Sequence, residues 1–369
     1  MDLAAPAIPP EYLSLLPAAF HLKWRKDRVV HYKPSNEVPQ TLEQRCTLWL
    51  QDNNAALRDT GFTSAELLKL LYYMKDTPLC EEAQRLMASG HNTTVERALA
   101  TALMYLWGLN FAHLQSVTTH SATTCSIAGR IGLLHLRDAL KMRGAGTWPC
   151  RAIRKGWIGL SGSSYPFNNI LTRADGMVLN FANRRVCDYG HKGQGLNVLV
   201  VTNQLGHIVY YSIGDGSAHD LNMLKQAAPN FEPWLPGELM LADAGYVGSG
   251  NEHFLAMKRQ HQLVSQEDKD LNIVLGHIRA STETVHGRLK RRFECVMGNS
   301  RIADPRVLTD AAMALECMRT IWHANVCPIT IMMLQRCPMS RTCGIPVLES
   351  SAADEDIYEL AEELVLPLL

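Results

Sequence analysis

The spacing of apolar residues divides the chain into a helical first part and a strand-rich second part. Between 41 and 90, TLEQRCTLWLQDNNAALRDTGF carries apolar positions three or four apart and stops at Gly61, which predicts a helix. Thr63-Ser64-Ala65-Glu66 has the form of a helix start ahead of LLKLLYYM. Further on, Thr93-Thr94-Val95-Glu96 has the capping-box pattern before RALATALMYLWGL, and Gly108 ends that helix. A short helix AHLQSVTT, a break at His120-Ser121 and a third helix SATTCSIAGRIGLLHLRDAL follow. This succession of lengths is that of a helix-turn-helix within 91–145, and equally of a trihelical packing unit that never meets DNA. Residues 144–160, with Gly144, Gly146, Pro149 and Gly156, have the composition of a linker.

From 170 the period falls to two. ILTRADGMVLNFAN reads as a strand with an acid in its middle. GLNVLVVTNQLGHIVYYSIGDG reads as two strands around a hairpin at Asn203-Gln204-Leu205-Gly206. HDLNMLKQAA is helical, and ELMLADAGY is a buried strand ending in an acid. A helix STETVHGRLKRRFECVM and a second long one, with Leu308, Ala312, Leu315, Met318 and Trp322 on one face, complete the order. The organisation is therefore an N-terminal helical region (1–90), a helix-turn-helix-like unit (91–145), a mixed α/β domain (160–330) and a C-terminal tail (331–369).

Composition narrows the classes. Of 369 residues, 47% are apolar and 20% charged, which excludes a disordered or fibrous chain. No apolar run is long enough to cross a membrane, and the first residues, with Asp2 and two consecutive prolines, lack a secretory pattern. The ten cysteines have no paired spacing and read as reduced thiols; His323, Cys327, Cys337 and Cys343 have zinc-capable side chains but no CxxC knuckle. Lys plus Arg and Asp plus Glu both number 36, yet residues 349–369 hold seven acids and no Lys or Arg. The rest of the chain is thus net basic by seven, and neutrality overall does not exclude a nucleic-acid partner. The tail reads as a solvated helix or as a docking surface for a partner.

Three acids stand out by context. Asp175 lies inside a strand pattern, Asp243 ends the apolar run LMLA, and Glu283 begins a helix that continues through Arg288, Lys290, Arg291 and Arg292. A carboxylate in a buried strand is costly unless paired or bound to metal. Carboxylate oxygens suit Mg²⁺ or Mn²⁺, which support phosphodiester chemistry. The basic run suits a phosphate backbone, and Ser121, Thr123 and Thr124 at the start of the third helix are small polar groups able to meet DNA.

Taken together, these segments resemble the PIF/Harbinger transposases of the DDE endonuclease superfamily. The resemblance rests on Asp175-Gly176, His191-Lys192-Gly193 with Leu196-Asn197-Val198, Gly216-Ser217-Ala218-His219-Asp220, Ala242-Asp243-Ala244-Gly245-Tyr246, and Glu283 with Gly287-Arg288-Leu289-Lys290-Arg291-Arg292-Phe293. It implies an RNase H-like mixed-sheet core behind an α-helical N-terminal region with a helix-turn-helix. It implies catalytic, metal-holding roles for Asp175, Asp243 and Glu283, a Mg²⁺ or Mn²⁺ cofactor, and supporting roles for Lys192, His219 and Asp220, with Lys192 facing DNA. The implied partners are double-stranded DNA and a separate DNA-binding protein; a homo-oligomer is compatible. A nuclear location follows, with a cytoplasmic fraction if import depends on a partner. Met177-Val178 replace the Thr-His that often follows the first Asp-Gly, so Asp188 is a rival for the first acid. A domesticated, non-cutting DNA-binding or scaffold protein is the alternative function.

Overall fold

A computed structural model describes residues 41–88, 93–107, 109, 114–116, 118–160, 169–180, 189–190, 193–247, 251–299 and 304–322. The basic patch at 23–28, Asp188, Lys192, the His323–Cys343 group and the acidic tail lie outside them.

The helical region opens with α1 (Leu42–Gln51) and α2 (Asn53–Thr60), where the sequence pattern predicted one helix. Asp52 makes the difference: its extended backbone breaks the first helix, and its carboxylate accepts from Asn54 N and Ala55 N to cap the second. The next helix, α3 (Ser64–Lys75), starts as predicted, with Thr63 and Glu66 forming a reciprocal capping box. Helix α4 (Glu81–Ala88) precedes α5 (Val95–Leu106). The predicted box at Thr93 is shifted by one: Thr94 caps Arg97 N, while Glu96 leaves the cap for Lys75, 2.7 Å away.

Helix α6 (Ala122–Met142) is the spine of this region. Cys125, Ala128, Ile131, Leu133, Leu134, Leu136, Ala139 and Leu140 are all buried on it, against α3, α4, α5 and the last helix, α10 (Pro305–Trp322). Gly132 lets α5 come close, since a Cβ there would stand 2.1 Å from the Ala98 carbonyl oxygen. Lys141 meets Asp310 of α10 at 2.5 Å, so α6 is fastened to the strand-rich part of the chain. The stretch predicted as linker holds α7 (Arg151–Leu160). Its Arg154 is buried and donates to Glu238 (2.9 Å), Pro149 O and Pro233 O, which ties the connection into the core.

The sheet contains β1 (Ile170–Asn180), β2 (Tyr189–Gly190), β3 (Gly193–Asn203), β4 (Ile208–Asp215), β5 (Leu239–Ala242) and β6 (Phe254–Ala256). Strands β4, β3 and β1 are antiparallel neighbours, and β5 and β6 extend the sheet in parallel with β1. The short β2 pairs with the start of β3. The predicted β3–β4 hairpin is present, with Asn203 Oδ1 accepting from Leu205 N and His207 N. This mixed α/β architecture, preceded by helices, is consistent with the DDE nuclease fold.

Both faces of the sheet are covered. On one, Leu171, Ala174, Leu199, Val201, Met240 and Ala242 pack with α8 (Asp220–Ala227) and an aromatic group including Phe231 and Trp234. On the other, Ile170 and Leu241 pack with Leu275 and Ile278 of α9 (Gln266–Asn299). Helix α9 is 34 residues long and begins well before Ser281. Glu283 therefore lies mid-helix, which corrects the predicted start.

Candidate acidic centre

The strand pattern brings the first two acids together. Strands β1 and β5 are adjacent and parallel, with Ala174 opposite Ala242. Asp175 comes next on β1, and Asp243 directly follows the end of β5. Side chains alternate across a sheet, and Ala174 belongs to the α8-side core, so Asp175 turns toward α9, while Asp243 acts on it electrostatically from the end of β5. There Arg279 Nη1 donates to Asp175 Oδ2 at 2.9 Å and Arg279 Nη2 to Glu283 Oε1 at 2.5 Å. His286, one turn further, has Nδ1 at 3.8 Å from Asp175 Oδ2. Residues 279, 283 and 286 share a helix face by their four- and three-residue spacing. Helix α9 is held at this height by Leu275, Ile278, Val285 and Leu289, all buried, and by a buried 3.0 Å hydrogen bond between Thr282 and Thr202 of β3.

A third aspartate reaches the same place from the opposite face. Asp220, at the start of α8, lies against Gly176, where a Cβ would stand 2.3 Å from its Oδ1. Asn197 of β3 donates to that oxygen at 2.5 Å. Gly176 is thus required by the close approach of a carboxylate. His219 is exposed, and its ring caps α8 by accepting from Leu221 N. Asp243 accepts from Gly245 N and caps the short turn Ala244–Tyr246.

The electrostatics follow from this crowding. The Asp175 carboxyl is pushed up to about 6, first by burial; Arg279 and the Gly176 N–H oppose the rise, while Asp243 and Asp220 add to it. Tyr246 is buried, and burial, then Asp220, Asp175 and Asp243, raise its phenol, so it stays protonated. Its hydroxyl has no hydrogen-bond partner among the described residues. A half-buried cluster of hard oxygen donors that repel one another, beside an unused O–H, suits a hydrated divalent cation in donor chemistry. The spacing is less complete. Among the described residues no three His, Cys, Asp or Glu side chains are grouped closely enough to hold a metal. Arg279 stands in the gap between Asp175 and Glu283.

The remaining candidates are dispersed. Arg288 pairs with the buried Glu316 of α10 at 2.9 Å, whereas Lys290 is exposed. The side chains of Arg291 and Arg292 are outside the described residues. Ser121 caps α6, and its hydroxyl meets Thr124 Oγ1 at 2.9 Å, so both polar groups serve the helix start; Thr123 is exposed. Sequence reasoning missed Arg279 and His286, and it gave Asn197 no role beyond its place in the Leu196-Asn197-Val198 segment. The four-residue interval from Arg279 to Glu283 was the signal for the first, hidden by the misplaced helix start.

Residues 178–324 match the family model of the DDE superfamily endonucleases. The match supports a DDE superfamily transposase-type domain over that stretch. The matched stretch contains Asp243, Asp220 and Glu283 and opens at Val178, just after Asp175 on the same strand. No curated protein and no solved structure matches the chain. Among the described residues no helix is long and apolar enough to cross a membrane.

Proposed function

We propose that the protein is a metal-dependent DNA endonuclease or transposase of the Harbinger type, with Asp175, Asp243 and Glu283 as catalytic and metal-holding carboxylates. The observation that carries this reading is the meeting of Asp175, Asp243 and Asp220 beside a buried, unpartnered Tyr246 hydroxyl, at the edge of and within a DDE domain. Bound Mg²⁺ or Mn²⁺ would activate a water or 3′-hydroxyl and balance charge on the leaving oxygen. Asp220, fixed by Asn197, keeps the centre strongly negative. The Tyr246 phenol, which stays protonated, offers a hydrogen-bond donor. Lys192, Lys290, Arg291 and Arg292 supply charge for the backbone of double-stranded DNA, and Thr123, with the cap residues Ser121 and Thr124, marks a second DNA contact at the start of α6. Arg288 contributes by holding α9 to α10 through Glu316. The protein acts in the nucleus with a separate DNA-binding partner.

A second reading has one observation in its favour. The guanidinium between Asp175 and Glu283 is what a core retired from metal chemistry would keep. A plasmid-nicking assay separates the two. Relaxation of supercoiled DNA that requires Mg²⁺ or Mn²⁺ and drops by about a hundredfold in Glu283→Gln is expected. Nicking that is equal in the variant overturns the assignment. DNA binding without any nicking supports the retired core.

A further inference from the structure

Building on the metal-site reading above, we infer that Arg279 is the resident counter-ion of this centre, a positioning residue that a divalent cation must displace from Asp175 and Glu283. Its two Nη groups reach one acid each, at 2.9 and 2.5 Å, so it links strand β1 to the middle of α9. Those two acids can share an ion only after the guanidinium has left the space between them. Asp243 and Asp220 also act on Asp175, so Arg279 offsets more negative charge than the two carboxylates it bonds.

The linkage is built to be broken. Arg279 Nε is buried and has no hydrogen-bond partner among the described residues, so the guanidinium is incompletely satisfied. The Glu283 side chain is 56% exposed, which leaves it able to swing, whereas Asp175 is 14% exposed and fixed on its strand. Without metal the arginine compensates charge that would otherwise repel. With metal the same charge is delivered by the ion, and Arg279 becomes a competitor. The arrangement makes the site stable when empty and lowers its affinity for the divalent ion, because part of each binding event goes into removing the guanidinium.

Calorimetric titration of the full chain with Mn²⁺ tests this, using wild type, Arg279→Gln and Arg279→Lys. Arg279→Gln is expected to bind Mn²⁺ about tenfold or more tightly than wild type, since it loses a competing cation within a few ångströms. Arg279→Lys, which keeps the charge and gives up the two-armed link, is expected between them and serves if the glutamine variant folds poorly. The rise in melting temperature on adding saturating Mn²⁺ should also be larger in Arg279→Gln than in wild type. Mn²⁺ binding that is equal or weaker in both variants overturns the inference and makes Arg279 a scaffold for the acids. Failure of every protein, wild type included, to bind Mn²⁺ overturns the metal-site reading itself.

Discussion

Two arginines in this protein hold carboxylates in opposite ways. Arg154 is buried with Glu238, both side chains about fully covered, and its Nε, Nη1 and Nη2 all donate: to both Glu238 oxygens and to the Pro149 and Pro233 carbonyls. Its guanidinium also lies 5.0 Å over the Trp148 ring. All three nitrogens are partnered, so the pair is a fixed joint between α7 and the loop before β5. Arg279 is spread over two acids from different elements, keeps an unsatisfied Nε, and faces further carboxylates it does not reach. A saturated ion pair fixes structure; an oversubscribed one marks a place where another cation can enter.

The largest effect that would break this comparison is in stability. Arg154→Met is expected to destabilise the fold by about 3–5 kcal/mol in denaturant unfolding, because Glu238 is left charged and buried. Arg279→Gln, measured alongside without metal, should lose no more than about 1 kcal/mol, since Glu283 is exposed to water and Asp175 can take up a proton. Equal losses would erase the distinction. Next is pH. A carboxyl raised in the folded state from its ordinary 3.8 to about 6 holds its proton more tightly than in the unfolded chain. Its contribution is full below about 4 and is lost as pH rises through about 6. Metal-free wild type should therefore lose up to about 2–3 kcal/mol relative to Asp175→Asn between pH 4 and 6.5; a constant difference across that window would contradict the crowding of the acids. The smallest effect sharpens the geometry behind Asp175. Gly176→Ala sets a methyl against the Asp220 carboxylate and should cost about 1–3 kcal/mol. An unchanged melting temperature would mean that Asp220 does not rest there.

How much was legible in the sequence follows from what each signal measures. Strand alternation and the short apolar run LMLA were enough to set Asp175 and Asp243 at neighbouring strand positions, because that convergence is a consequence of local pattern plus one parallel pairing. The start of α9 was not legible. Its buried stripe includes Thr282, a polar residue satisfied by Thr202 across the sheet, and it passes Gly276 in a largely polar stretch. Ser281-Thr282 therefore looked like a helix cap, and Arg279 fell outside the helix. The same cause hid α7, whose inward anchor is the charged Arg154 and whose identity as a buried residue depends on Glu238, 84 positions away. Asp220 could be singled out by motif, but its contact with Gly176 exists only once α8 lies on the sheet. Local periodicity reports apolar faces; it is silent on polar groups that are buried because a distant partner satisfies them.

In this proposal the carboxylates hold a divalent ion in exchange for Arg279. Anomalous diffraction from crystals of the full chain grown with Mn²⁺ tests it most directly. A manganese peak bounded by Asp175, Asp243 and Glu283 is expected, with the Arg279 guanidinium withdrawn from between Asp175 and Glu283. A guanidinium still bridging those two acids in a crystal saturated with Mn²⁺, or a manganese peak away from Asp175 and Asp243, would contradict it.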